Sequence, residues 1–386
     1  MSAIPDKARM TDRLAKLVAI DTQNPPGKED EAADFLAAEL RDIGFDVTLR
    51  EIAPGRVNVI AEYSNGPGPV LAFNSHIDVV PAGDGWSRDP LELWEAEGRL
   101  YGRGSNDAKG QIICMLEAAR LLMADRHSWS GTLMAVFVAG EEVDSIGAKD
   151  YAGEKPAIDY VIIGEPTSNS VAPAHKGSMR PIVRVKGQMA HSANPDLGVN
   201  AIFQASRLLK RIEAEHENTV RHRHHPLAGQ ASLTVTRIHG GIADNIVPDS
   251  CEIMLDRRMV PGETDESATA EIEALLDRVS KEDDVEATIA EFQATTGGAS
   301  ETAIDHPIVQ AALAAAKAHG VKDIGPTGFS AGCDLVHFRL TGAQGVIIGP
   351  GDIGVAHKPD EFVPIDEFVT ASLIHRDIVL TMLPSE

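Results

Sequence analysis

A chain of 386 residues is longer than one hydrophobic core usually fills, so two domains are expected, and 43% hydrophobic with 24% charged residues excludes disorder. The formal net charge of -23 argues against nucleic acid or an anionic membrane as a partner and suits a very soluble protein, without describing any single pocket. Cys114, Cys251 and Cys333 are too scattered for a disulfide framework or a cysteine zinc knuckle, and no apolar run is long enough to cross a bilayer. The stretch from Met1 to Ala19 interleaves Asp6, Lys7, Arg9, Asp12, Arg13 and Lys16 with its apolar residues, unlike a signal peptide. A reducing, cytoplasmic setting is the expectation.

Ala33, Leu36, Ala37, Leu40 and Ile43 recur at helical spacing before Gly44, which predicts a helix over 29–43 and a strand over 45–49. Further strands are predicted at 57–63, 70–73, 133–138 and 160–163, with a helix carrying Ile112, Met115, Leu116 and Ala119 before the third of them. Such alternation predicts an α/β layer fold with a largely buried sheet. After Lys176-Gly177 the texture changes. Strands are predicted at 181–185, 233–238 and 252–255, a helix at 200–213, then a helix at 267–279 and a strand at 285–292. This reads as a smaller α+β domain over 179–294, inserted into a larger one made of 1–178 and 295–386, with Thr295-Thr296-Gly297-Gly298 as the hinge. A helix over 307–319, a strand over 345–348 and a helix from about Asp366 complete the larger domain.

Acids and imidazoles gather where predicted strands end. His76 and Asp78 follow the 70–73 run, and their alternate spacing lets one imidazole nitrogen bind metal while the carboxylate orients the other. A loop histidine beside a capping aspartate fits equally. Asp107 follows Tyr101-Gly102-Arg103-Gly104 and opens a helix, as a ligand or as a cap. Glu141 and Glu142 follow the Thr132 to Val138 run; on an extended backbone they diverge, one toward metal and one toward the proton of an attacking water, or else they form a solvated acidic loop. Glu165 in Gly164-Glu165-Pro166 and His357 after Gly349-Pro350-Gly351-Asp352 are weaker signals singly. Their joint occurrence at strand ends, where open α/β sheets place their sites, is what carries weight.

Five ordered motifs, Ser75-His76-Ile77-Asp78, Tyr101-Gly102-Arg103-Gly104 with Asp107-Ala108-Lys109-Gly110, Glu141-Glu142, Gly164-Glu165-Pro166-Thr167 and His357-Lys358-Pro359-Asp360-Glu361, resemble the metallopeptidase family of acetylornithine deacetylase, succinyl-diaminopimelate desuccinylase, aminoacylase and glutamate carboxypeptidase. The resemblance spans nearly the whole chain. It implies a zinc-exopeptidase-like α/β fold, a mixed but mostly parallel sheet flanked by helices. It also implies two Zn2+ per chain, with Co2+ or Mn2+ as substitutes: Asp107 bridges, His76 and Glu165 complete one site, and Glu142 and His357 complete the other. Glu141 is then the general base and Asp78 orients His76. A cis peptide at Asp107-Ala108 is implied as well.

Gly187-Gln188-Met189-Ala190-His191-Ser192-Ala193 resembles the family's lid and dimerisation domain, which implies a homodimer in which His191 stabilises an oxyanion from the second subunit. Asn245 and Arg258 resemble positions that face substrate; strand alternation lets only one of Arg257 and Arg258 do so, and the spacing favours Arg258. His222, His224 and His225 read as a solvated loop. The chain departs from the family's Gly-Gly-Thr-Asp at Phe329-Ser330-Ala331-Gly332-Cys333-Asp334. Ala174-His175-Lys176-Gly177-Ser178 and Gly349-Pro350-Gly351-Asp352 are most similar to the acetylornithine deacetylases of the family. Deacylation of a small N-acyl amino acid is implied, a metallo-exopeptidase or dipeptidase acting on a peptide is the alternative, and a scaffold without catalysis is a third reading.

Overall fold

The computed structural model describes residues 4–322 and 325–385. It divides into two compact units, the first of Met1–Ala174, Glu301–Phe329 and Cys333–Glu386, the second of His175–Ser300 and Ser330–Gly332.

In the first unit, Asp6 caps a helix over Lys7–Ala19 by accepting the N–H of Arg9, and Met10, Leu14, Leu17 and Val18 form its buried stripe. Lys7, Arg9, Asp12, Arg13 and Lys16 lie off that stripe, so the helix is amphipathic. A second helix, Asp30–Ile43, ends at Gly44, whose φ of 110° suits the left-handed stop that glycine adopts without strain.

The six-stranded sheet has the order Asp46–Ala53, Arg56–Ser64, Thr132–Val138, Val70–His76, Tyr160–Ile163, Gln344–Ile347. Its first two pairings are antiparallel and the other three parallel. The last four strands therefore run the same way, and all their C-terminal ends face one edge. From that edge come His76, the Glu141-Glu142 segment, Glu165, and the chain that leads to His357.

The Val70–His76 strand runs three residues beyond the predicted 70–73. Its polar end stays in the buried sheet because it is satisfied there: the Asn74 amide donates to Val136 O at 2.9 Å and the Ser75 hydroxyl to Gly164 O at 2.9 Å. The helices Lys109–Ala124, Pro307–Ala318 and Ile365–Met382 supply much of the apolar core.

The second unit is a four-stranded antiparallel sheet in the order Ser232–Gly240, Ser250–Met259, Gly177–Lys186, Ala287–Gln293. Two helices share its core through Leu208 and Ile212 on one and Ile272, Leu275 and Leu276 on the other. The first, Ala201–Asn218, is capped by Asn200, which accepts the N–H groups of Ile202 and Phe203; the second, Asp265–Asp283, starts in a capping box between Thr264 and Ser267. Among the described residues no helix is long and apolar enough to cross a membrane.

Candidate metal centre

One buried carboxylate organises the Glu141-Glu142 segment. Asp78 Oδ1 accepts the N–H groups of Gly140 at 2.9 Å and Glu141 at 3.0 Å, and Oδ2 accepts that of Glu142 at 3.2 Å and the Asn24 amide at 2.8 Å. Converging N–H groups need a turn, and residues 141–144 form one in place of the expected extended backbone. Gly140 enters it at φ 81°, with Ile146 and Arg56 side-chain atoms 2.6 Å from where a Cβ would sit.

The Asp78 carboxylate, engaged in this way, is not what orients His76. The imidazole Nδ1 lies 2.9 Å from the Asp78 main-chain carbonyl and 3.7 Å from its carboxylate. A carbonyl only accepts, so Nδ1 carries a proton, and Nε2 is the nitrogen left to bind either a proton or a cation on the inward side. The residue expected to orient His76 does so through its backbone.

His76 Nε2 faces Asp107 Oδ1 at 3.2 Å, while His357 Nε2 faces Asp107 Oδ2 at 3.3 Å and Glu142 Oε2 at 3.0 Å. Asp107 thus stands between the two imidazoles with one oxygen toward each. His76, Asp107 and Glu142 offer ligand atoms that all lie within 4.8 Å of one another. Asp107 caps nothing: the helix Lys109–Ala124 begins after Ala108 without a side-chain cap, and the Asp107–Ala108 peptide is cis. Glu165, 4% exposed, follows the Tyr160–Ile163 strand, and its charge acts on His76.

The electrostatics are those of too many acids in too little water. Burial pushes the carboxyls of Glu141, Glu142 and Glu165 up; His76 opposes the rise in Glu141 and Glu165, and neighbouring carboxylates add to it. Asp107 goes the other way: burial opposes it, but the hydrogen bonds of His357 and His76 hold it below the ordinary carboxylate range. Hydrogen bonds that His357 donates to Asp107 and Glu142 carry it up to about 10, and burial opposes the rise in His76 that Asp107, Glu165 and Glu141 produce. Paired imidazoles and crowded carboxylates around one shared aspartate fit divalent cations, whose charge would replace the protons that these groups otherwise hold.

His76, Asp78, Asp107, Glu141, Glu142, Glu165 and His357 all lie in the first unit; His191, Asn245 and Arg258 lie in the second. There, His191 pairs with Ile246, the Ser192 N–H donates to Asn245 O at 3.0 Å, and His191 Nδ1 accepts the Ala193 N–H at 3.0 Å. Strand alternation separates the two arginines. Arg257 is fully buried against Glu263 and Glu271, whereas Arg258 is part-exposed with Nε 2.7 Å from Asp256 Oδ1. Lys176 is held down by burial and by the charge of Arg258.

Two buried carboxylates escaped the sequence reading as parts of this region. Asp334, in the segment that departs from the family pattern, is pushed up to about 6 by burial and by Asp78, with His76 and Lys149 opposing. Glu361 lies inside a matched motif, but no spacing rule distinguishes it from an exposed acid.

Residues 72–381 match Peptidase family M20/M25/M40. Acetylornithine deacetylase of Vibrio vulnificus is 31% identical over 346 residues, covering 87% of this chain and 86% of that protein. A probable succinyl-diaminopimelate desuccinylase of Staphylococcus epidermidis is 30% identical over 402 residues, covering 97% and 96%. Among solved structures, the Bacillus subtilis YXEP protein, described as a dinuclear metal binding peptidase from the M20 family, superposes with a TM-score of 0.75 at 16% identity over 98% of both chains, a likeness of fold. The chain belongs to peptidase family M20/M25/M40 and is a hydrolase acting on amide bonds.

Proposed function

We propose that this chain removes a small acyl group from an N-acyl amino acid, using water activated at a dizinc centre. The observation that carries the reading is Asp107, placed between His76 and His357 with Glu142 beside the latter. Asp107 would be shared by two Zn2+ ions, His76 and Glu165 completing one site and Glu142 and His357 the other. Three carboxylates against two divalent cations leave a net charge of about +1. Bound there, the cations supply Lewis acidity, polarising the scissile carbonyl and bringing the pKa of water toward neutrality. The two imidazoles favour zinc over magnesium, with cobalt or manganese as substitutes.

Glu141 does the proton work: its carboxylate accepts the proton of the attacking water and delivers it to the leaving nitrogen. Its burial among carboxylates supports that role, because a base whose pKa is raised holds the proton until the amine takes it. Asp78 aims the Glu141-Glu142 turn. We assign to the inserted domain, 179–294, the roles of lid and dimer contact, and to 1–178 with 295–386 the catalytic role. His191, from the second protomer of a homodimer, donates to the developing oxyanion, while Asn245 and the Arg258 fork receive the substrate. A cytoplasmic setting accords with this chemistry.

A second reading, an exopeptidase or dipeptidase with the same centre, is favoured by the likeness to a structure described as a peptidase. Zinc-loaded protein incubated with N-acetyl, N-succinyl and N-aromatic-acyl amino acids and with dipeptides separates the two. Preferential release of amine from N-acyl amino acids is expected; faster cleavage of dipeptides would replace the first reading with the second.

A further inference from the structure

His357 and Asp107 sit on loops far apart in sequence, yet their facing atoms are 3.3 Å apart. Four residues after His357, the side chain of Glu361 is fully buried and clasps the other loop. Its Oε1 accepts the N–H groups of Gly104 at 3.0 Å, Asn106 at 2.9 Å and Asp107 at 3.0 Å, while its Oε2 pairs with the buried Arg103 guanidinium. The Glu361 main-chain carbonyl adds the N–H of Gly102 at 3.0 Å. Arg103 is held in turn by the Ala82 carbonyl at 3.3 Å and by the Trp86 ring, whose centroid is 5.1 Å away.

We infer that Glu361 is a positioning residue of the metal centre, fixing the backbone of Asp107 against the loop of His357 so that their ligand atoms converge. A buried carboxylate is costly to desolvate, and a well-packed apolar side chain would fill the same space at least as favourably. What the carboxylate adds is direction. Three backbone N–H groups converge on one oxygen, and the last belongs to the shared ligand itself. Asp78 does the same for the Glu141-Glu142 turn, so two of the segments assigned to the centre have a carboxylate clasp. Glu361 touches neither imidazole and acts only through Asp107 and its own loop.

The inference rests on the dizinc reading, and its test separates the two. Chelator-stripped wild-type protein and the Glu361→Gln variant are titrated with Co2+, following visible absorption and competition with a chelating dye. The amide can still accept N–H groups at one atom but sets its NH2 against the Arg103 guanidinium. Wild type is expected to take up two ions, and Glu361→Gln to bind them about 10- to 100-fold more weakly with an altered cobalt spectrum, the size of effect seen when a partner that orients a ligand is lost. A purely structural role would lower the melting temperature of the stripped protein while leaving cobalt affinity and spectrum as in wild type, and that result overturns the inference. If Glu361→Gln cannot be purified folded, Arg103→Lys takes its place, since it loosens only the second oxygen; several-fold weaker binding supports the inference and wild-type binding overturns it. Failure of wild type itself to bind two ions would instead sink the dizinc reading.

Discussion

Asp78 Oδ1 accepts the main-chain N–H of Glu141 at 3.0 Å, so the residue assigned as general base is held by a carboxylate that takes no part in the proton transfer. The same carboxylate collects the N–H groups on either side, those of Gly140 and Glu142. Glu141 and Glu142 are thereby fixed as one unit.

Glu141→Ala separates them. Removing the carboxylate deletes the proton acceptor and leaves His76, Asp107, Glu142, Glu165 and His357 in place. Turnover should fall by about 100-fold or more, while metal content measured by atomic emission stays near two ions per chain. Unchanged turnover would refute the assignment of the base.

Asp78→Asn tests the clasp. The amide cannot accept at both former oxygens, so at least one backbone N–H is left buried without a partner, at a cost of about 1 to 3 kcal/mol. Urea unfolding of the metal-free protein should show that loss, together with lower turnover. A variant as stable and as active as wild type would show that the turn holds itself.

Much of this was legible in sequence, and what was not has a physical reason. Strand ends and helices are set by periodicity, which is local, so the positions of His76, Glu142 and Glu165 after apolar runs could be read directly. The Asp78 carboxylate and Glu361 bind backbone N–H groups distant in sequence, and no pattern of side-chain types records where a main-chain donor will point. In the helix Lys7–Ala19 the interleaved charges obscure the buried stripe of Met10, Leu14, Leu17 and Val18, so its periodicity is hard to read locally. Asp107 shows the limit of local reading: a cap and a candidate ligand look the same until the fold brings His357, 250 residues later, beside it.

Metal and protons should compete at this centre. In the metal-free chain His357 is carried up to about 10 by Asp107 and Glu142, against about 6.5 for an unfolded histidine. The stability from its protonated form is fully present below about 6.5 and is lost as pH rises through about 10. His76 shifts in the same direction. The melting temperature of metal-free protein should therefore fall further behind that of zinc-loaded protein as pH is raised from about 6.5 to 9. A gap that narrows or stays constant over that range would count against protonated imidazoles in the metal-free centre.

Arg258→Lys keeps the positive charge but removes the planar fork, which lies on the opposite strand face from the fully buried Arg257. If the fork binds a substrate carboxylate equally in ground and transition states, KM should rise about 10-fold with kcat nearly unchanged. A loss confined to kcat would move Arg258 from substrate binding to the reaction itself.

His191 lies in the second unit and is assigned to neither metal. Its Nδ1 accepts the Ala193 N–H at 3.0 Å, so in the neutral ring the proton sits on Nε2, which is free to donate to a developing oxyanion. His191→Ala should lower kcat by about 100-fold, the usual cost of losing one such donor, and leave two zinc ions bound, because no ligand is touched. His191→Gln, which keeps an N–H donor, should recover part of the loss. Mixing His191→Ala with Glu141→Ala protein adds a check on the dimer. If the donor comes from the partner subunit, a mixed dimer places an intact Glu141 and an intact His191 at the same centre, and activity should return toward one quarter of wild type as subunits exchange statistically, about half of the dimers being mixed with one working centre each. No recovery under conditions where exchange is verified would confine His191 to its own chain, and loss of zinc in His191→Ala would make it a ligand instead of a donor.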